Sequence, residues 1–121
     1  MTEHELNAIL MDAFPELKEE LTLYMEEDGD GMDTGCFLTH EDVLHPFIDQ
    51  AFKDEDQQIL KRVGAYVERL LNLNDEYAEN VAIVGIVEWI ALDRPTLAPL
   101  IPFGPKAQAA ISEYRAEGNA Q

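Results

Sequence analysis

Residues 55–92 read EDQQILKRVGAYVERLLNLNDEYAENVAIVGIVEWIAL, and their periodicity decides the fold. Ile59, Val63, Val67, Leu70 and Leu71 recur at helical spacing, with Lys61, Arg62, Glu68 and Arg69 opposite, which predicts a helix over 55–72. Asn72 to Asn74 form a short turn. Asp75 stands where a second helix needs an acceptor for its first N–H groups, and that helix is expected to run over 75–92. It is apolar almost all round from Val81 to Val87, so it is expected to be the most buried. Two long helices joined by so short a turn lie antiparallel. No second copy of the pair occurs, so no repeat array is expected.

The rest of the chain continues in the same style. Thr2 and Glu5 make a capping-box pattern ahead of Leu6, Ile9, Leu10 and Ala13, predicting a helix near 3–13. Phe14-Pro15 breaks it, and Pro15 suits the opening of the next helix, expected to reach about Glu27 on the stripe Leu17, Leu21, Tyr24 and Met25. Residues 28–35, DGDGMDTG, read as an acidic loop. Cys36-Phe37-Leu38 reads as a short extended piece, and Thr39 with Asp42 as the cap of a short helix that Pro46 ends or kinks. Four prolines, 95, 99, 102 and 105, divide the following stretch into short turns before a final helix over about 105–116 and a polar tail, 117–121. With no strand alternation and no hairpin signal, the expectation is one all-α domain over 1–121, a compact bundle of six or seven helices.

Hydrophobic residues make up 46% of the 121, enough for a core, and exclude a disordered chain despite a formal charge of −17. The acids are uneven. Residues 1–52 hold 14 against the single base Lys18, and residues 53–121 hold 11 against 7. Such a surface repels nucleic acid and anionic membrane and attracts cationic proteins. Cys36 is the sole cysteine, so no intrachain disulfide forms, and its neighbours suggest a small buried hydrophobe. The first residues, MTEHEL, lack the basic and apolar regions of a signal peptide, and the apolar run Val81–Val87 is too short to span a bilayer. A cytoplasmic protein is expected.

Several motifs bear on chemistry. His40-Glu41-Asp42-Val43-Leu44-His45 resembles a zinc-protease signature with one residue too many. On a regular helix, histidines five apart diverge by about 140°, so one zinc cannot be gripped by both. The bland alternative makes them surface or boundary residues. An EF-hand loop started at Asp30 places Gly35 and Glu41 correctly but puts Met32 at an oxygen-ligand position, and a start at Asp28 fails as well. Cys36 with His40 or His45 makes a poor nucleophile pair, because nearby acids raise a thiol pKa. Gly104-Pro105-Lys106 lacks the other parts of a phosphate loop. Glu88 interrupts an apolar segment. It reads as a carboxylate paired with Arg62 or Arg94, or as the catalytic group of a small enzyme. No metal, cofactor or catalytic residue is assigned.

Phe14-Pro15-Glu16-Leu17, Asp42-Val43-Leu44 with Pro46, Glu79-Asn80-Val81-Ala82 and Gly104-Pro105-Lys106 occur in that order. Together they resemble a family of short, all-helical bacterial proteins of unknown function found among polymorphic-toxin and immunity genes. The resemblance covers roughly residues 10–115. It carries packing and turn residues, so it implies a fold before an activity. Combined with the acidity, it implies an immunity protein that binds a cationic toxin domain. The expected contact residues are Glu26, Glu27, Asp28, Asp30, Asp33, Glu41 and Asp42, with Tyr24 and Phe37 as aromatic anchors. A small helical enzyme using Glu88 with a histidine, and a non-catalytic acidic adaptor, are the alternatives.

Overall fold

Local chemistry sets most helix boundaries. In the computed structural model, which describes residues 1–119, Thr2 accepts from the Glu5 N–H at 3.1 Å while Glu5 accepts from the Thr2 N–H at 3.1 Å. This reciprocal cap starts α1, Glu3–Ala13. Pro15 opens a 3₁₀ turn, Pro15–Leu17, that leads into α2, Lys18–Asp28. Gly29 closes α2 at a φ of 93°, where a side chain would be strained, and donates to the Met25 and Glu26 carbonyls. A 3₁₀ turn, Gly31–Asp33, occupies the middle of the acidic loop.

The next helix differs from the expectation in three ways. Cys36–Thr39 is its first turn, α3, and not an extended piece. Thr39 therefore lies inside the helix and is not its cap. Its hydroxyl bonds the Cys36 carbonyl at 3.1 Å. A π turn, His40–Leu44, then joins α3 to α4, His45–Lys53, without a break. Pro46 has no N–H to donate, and the helix absorbs it by widening the preceding turn, where the His45 N–H reaches back to the His40 carbonyl.

Asp56 caps α5, Gln57–Leu71, by accepting from Ile59 N–H at 3.1 Å. Asp75 caps α6, Glu76–Ala82, by accepting from Ala78 N–H at 2.8 Å. A second π turn, Ile83–Val87, carries α6 into α7, Glu88–Asp93. The wider turn shifts the buried stripe, so Val84 is 43% exposed within the segment expected to be buried all round. A 3₁₀ turn, Ala98–Leu100, precedes α8, Pro105–Asn119, which continues past the expected stop near 116. Residues 120–121 of the expected tail lie outside the described residues. With α3–α4 and α6–α7 each continuous, the protein is all-α: six helices and no strand among the described residues.

The chain divides into two compact units, 1–47 and 48–121. In the first, Leu6, Leu10, Phe14, Leu21 and Leu44 are buried, and Phe14 meets Phe47 edge-on at 5.8 Å between ring centres. In the second, α5 packs on α6 and α8, and α7 on α8. Val63, Leu70, Ile86, Ile90 and Leu97 are among its fully buried side chains. Gly64 lets the chain come close: a Cβ there would stand 2.8 Å from the Pro102 carbonyl oxygen.

Candidate functional site

The expected contact residues all fall in the first unit, and part of them converge. The Tyr24 hydroxyl, on α2, donates to Asp42 Oδ2 in the π turn at 2.5 Å. That bond, with some burial and the fields of Asp42, Asp28 and Glu41, pushes the Tyr24 pKa up to about 12. Tyr24 is thus a neutral, half-buried aromatic side chain bonded to Asp42, with the charges of Asp28 and Glu41 acting on its hydroxyl. Glu26, Glu27 and Asp30 are exposed on the end of α2 and the loop after it, and Phe37 is half-buried. The Thr34 hydroxyl donates to the Gly31 carbonyl at 2.7 Å, with Asp28 Oδ2 3.3 Å away, and Asp33 lies 3.9 Å from His4.

Beneath this face lies a buried polar network that sequence reading missed. Asn7 donates to the Met32 carbonyl at 3.0 Å and the Thr34 carbonyl at 2.8 Å, and accepts from the Thr39 hydroxyl at 2.9 Å. Glu3 accepts from the Cys36 N–H at 2.8 Å, holding the first turn of α3 against α1. The Cys36 thiol is fully buried and directed at the Glu3 carbonyl and Asn7. It is the small buried residue expected, and His40 meets its carbonyl rather than its sulfur. The network ties the acidic loop down to α1, giving the carboxylates above it a fixed base.

The two histidines correct the sequence reading twice. His40 is fully buried rather than a surface or boundary residue. Its Nδ1 lies 2.6 Å from the Cys36 carbonyl, which accepts only, so Nδ1 carries the proton. Burial lowers the His40 pKa to about 4, with His45 adding to the effect and the Cys36 carbonyl and Glu3 opposing it. The 140° divergence also fails. Across a π turn, residues five apart are linked by a backbone hydrogen bond, so His45 sits near enough to bias His40. No group of three or more metal-ligating side chains occurs among the described residues.

Glu88 finds neither arginine. It accepts from the Tyr114 hydroxyl at 3.2 Å, and burial together with Glu88 raises the Tyr114 pKa. Arg94 instead binds Asp49 through Nε at 3.0 Å and Nη2 at 3.3 Å, and lies 5.7 Å from the Trp89 ring centre. All three histidines belong to residues 1–47, so the second unit brings none to Glu88. Glu68, expected on the polar face of α5, packs against Gly104 with a buried Oε1 that has no hydrogen-bond partner among the described residues.

A family model described as a domain of unknown function, DUF7674, matches residues 7–114. The chain belongs to this family. The match covers both units and all four stretches that carried the resemblance. It also covers the Tyr24, Asp28, Glu41 and Asp42 array. No curated protein and no solved structure matches the chain. No helix among the described residues of this DUF7674 protein is long and apolar enough to cross a membrane.

Proposed function

We propose that this chain is an immunity protein that binds a cognate cationic bacterial toxin domain and neutralises it by covering its active or substrate-binding surface. The observation that carries this reading is the Tyr24–Asp42 hydrogen bond on a surface that also exposes Asp28 and Glu41. A toxin that acts on nucleic acid presents a basic surface, and fixed carboxylates compete there with phosphate. An aromatic ring among them supplies a face for a lysine or arginine side chain. The formal charge of −17 steers the encounter from a distance.

The test has two stages. The immobilised protein is exposed to lysate of its native host grown to induce interbacterial competition, and bound protein is eluted along a salt gradient. The expected partner is basic, elutes late, kills when expressed alone and is harmless beside this chain. Reversal of two exposed acids, Asp28→Lys with Glu41→Lys, should slow association about ten- to a thousandfold with circular dichroism unchanged. A captured partner that is not toxic, or whose binding ignores both salt and the reversal, would sink the proposal.

A further inference from the structure

The second unit carries two grooves that share a wall. One, of about 860 Å³, runs beside the start of α5, with Phe52, Leu60 and Leu100 along it and Lys61 and Glu55 among its lining residues. The other, of about 410 Å³, lies against α8 and is mainly polar, with Gln108, Ser112 and Arg115 lining it beside the buried Ile101, Phe103 and Ile111. Pro99 and Pro102 line both, so the segment 98–102 is a ridge with a groove on either side. Leu100 on this ridge is 52% exposed.

Two of the chain's 8 bases, Lys61 and Arg115, line these grooves. Three and four residues from Lys61 along the helix stand Gln57, Gln58, Gly64 and Ala65. The same positions around Arg115 hold Ile111, Ser112, Gly118 and Asn119. Neither helix offers an acid at the spacing where one pairs. Neither base forms an ion pair or hydrogen bond to a described residue, whereas Arg94 takes Asp49 and Lys106 reaches the Leu71 carbonyl. Glu55 balances Lys61 within the first groove, while Arg115 stands without a countercharge in the second.

We propose that this double groove is a docking surface for an extended segment of a partner protein, one that sets a carboxylate on Arg115 in the polar groove and apolar side chains beside Leu100 in the other, across the Pro99–Pro102 ridge. A guanidinium binds carboxylate in a two-pronged geometry that lysine does not match. The ridge itself recognises through side chains. Its prolines have no N–H, and the Leu100 and Ile101 N–H groups are already spent on the Leu97 carbonyl. A small apolar carboxylate fills one groove, whereas an extended backbone places side chains in both. This surface is separate in chemistry from the acidic face of the first unit and selects the opposite charge.

The experiment is selection of a displayed library of random linear peptides on the full chain, followed by fluorescence anisotropy with the selected peptides. Selected sequences should combine Asp or Glu with Leu, Ile or aromatic residues. Arg115→Gln and Leu100→Ser should each weaken them about tenfold, with circular dichroism unchanged, and Lys61→Gln by less. The acidic-face reversal Asp28→Lys with Glu41→Lys should leave them bound. The inference is overturned by recovery of no binding peptide, or by peptides indifferent to Arg115→Gln and Leu100→Ser. Basic peptides released by the acidic-face reversal would overturn it while supporting the function proposed above. Decanoate that displaces the peptides, and binds as tightly as they do, would replace the peptide by a small carboxylate.

Discussion

A histidine sealed from water is stable only while neutral, and His40 is held in that state beside the Cys36 carbonyl. In the unfolded chain the same imidazole takes up a proton near pH 6.5, while in the folded protein it does so near 4. Between those values the unfolded state binds more protons. The stability His40 contributes is therefore complete above about pH 6.5 and is lost as pH falls toward 4. The loss is about 2–4 kcal/mol, the spacing of the two pKa values at ~1.4 kcal/mol per unit. Urea unfolding from pH 7.5 to 4 checks this against a His40→Gln variant, which should be less stable at neutral pH and flatter over that range. Equal slopes in both proteins would assign the acid sensitivity to other groups. None of this was legible beforehand. The Thr2–Glu5 cap was, because its partners are three residues apart. Thr39 and His40 take their meaning from Asn7 and from a helix start at Cys36, and sequence spacing carries neither.

Helices were legible as elements because apolar periodicity and Asp caps are local signals, and the pair over 55–72 and 75–92 appears within a residue or two at each end. The π turns were not. A single widened turn leaves the apolar spacing nearly intact while rotating the residues that follow, which brought His45 toward His40 and turned Val84 outward. Glycines within and between elements give a sharper test of packing. In α5, a methyl group at Gly64 would meet the Pro102 carbonyl at 2.8 Å, and a backbone atom has nowhere to go. Gly64→Ala should cost about 1–3 kcal/mol despite alanine's better helix propensity. At Gly104 the obstacle is the Glu68 carboxylate, 2.3 Å from the added carbon but at the end of a flexible side chain. Gly104→Ala should cost less, and its cost should vanish in a Glu68→Ala background. Denaturant midpoints of the four proteins in that cycle measure the coupling. A Gly64→Ala protein as stable as the wild type would mean that the segment 98–102 shifts freely, which would also remove the fixed ridge between the two grooves.

At the scale of the whole chain, charge is the dominant fact and the one most directly legible in sequence. Its local arrangement is less so: the 18-residue separation of Tyr24 from Asp42 hides their hydrogen bond. A formal −17 on 121 residues sets like charges close together, and ion pairs such as Arg94–Asp49 and His4–Asp33 lie at the solvent surface, where they offset little. Self-repulsion works against the compact state, and salt screens it over about 10 Å at 0.1 M. The melting temperature at pH 7 should therefore rise with sodium chloride, by about 3–8 °C between ~10 mM and ~500 mM, a change on the order of 1 kcal/mol. Calcium chloride at matched ionic strength separates screening from a specific site. Without a ligand cluster among the described residues, calcium should track the sodium curve and show no saturation at low millimolar concentration. A saturating calcium shift would revive the acidic loop as a cation site. A melting temperature that falls with salt would mean that pairs such as Arg94–Asp49 outweigh the repulsion. The acidic face would then be held by its own internal contacts rather than strained against itself, and part of the electrostatic gain expected from a cationic partner would already be spent within the fold.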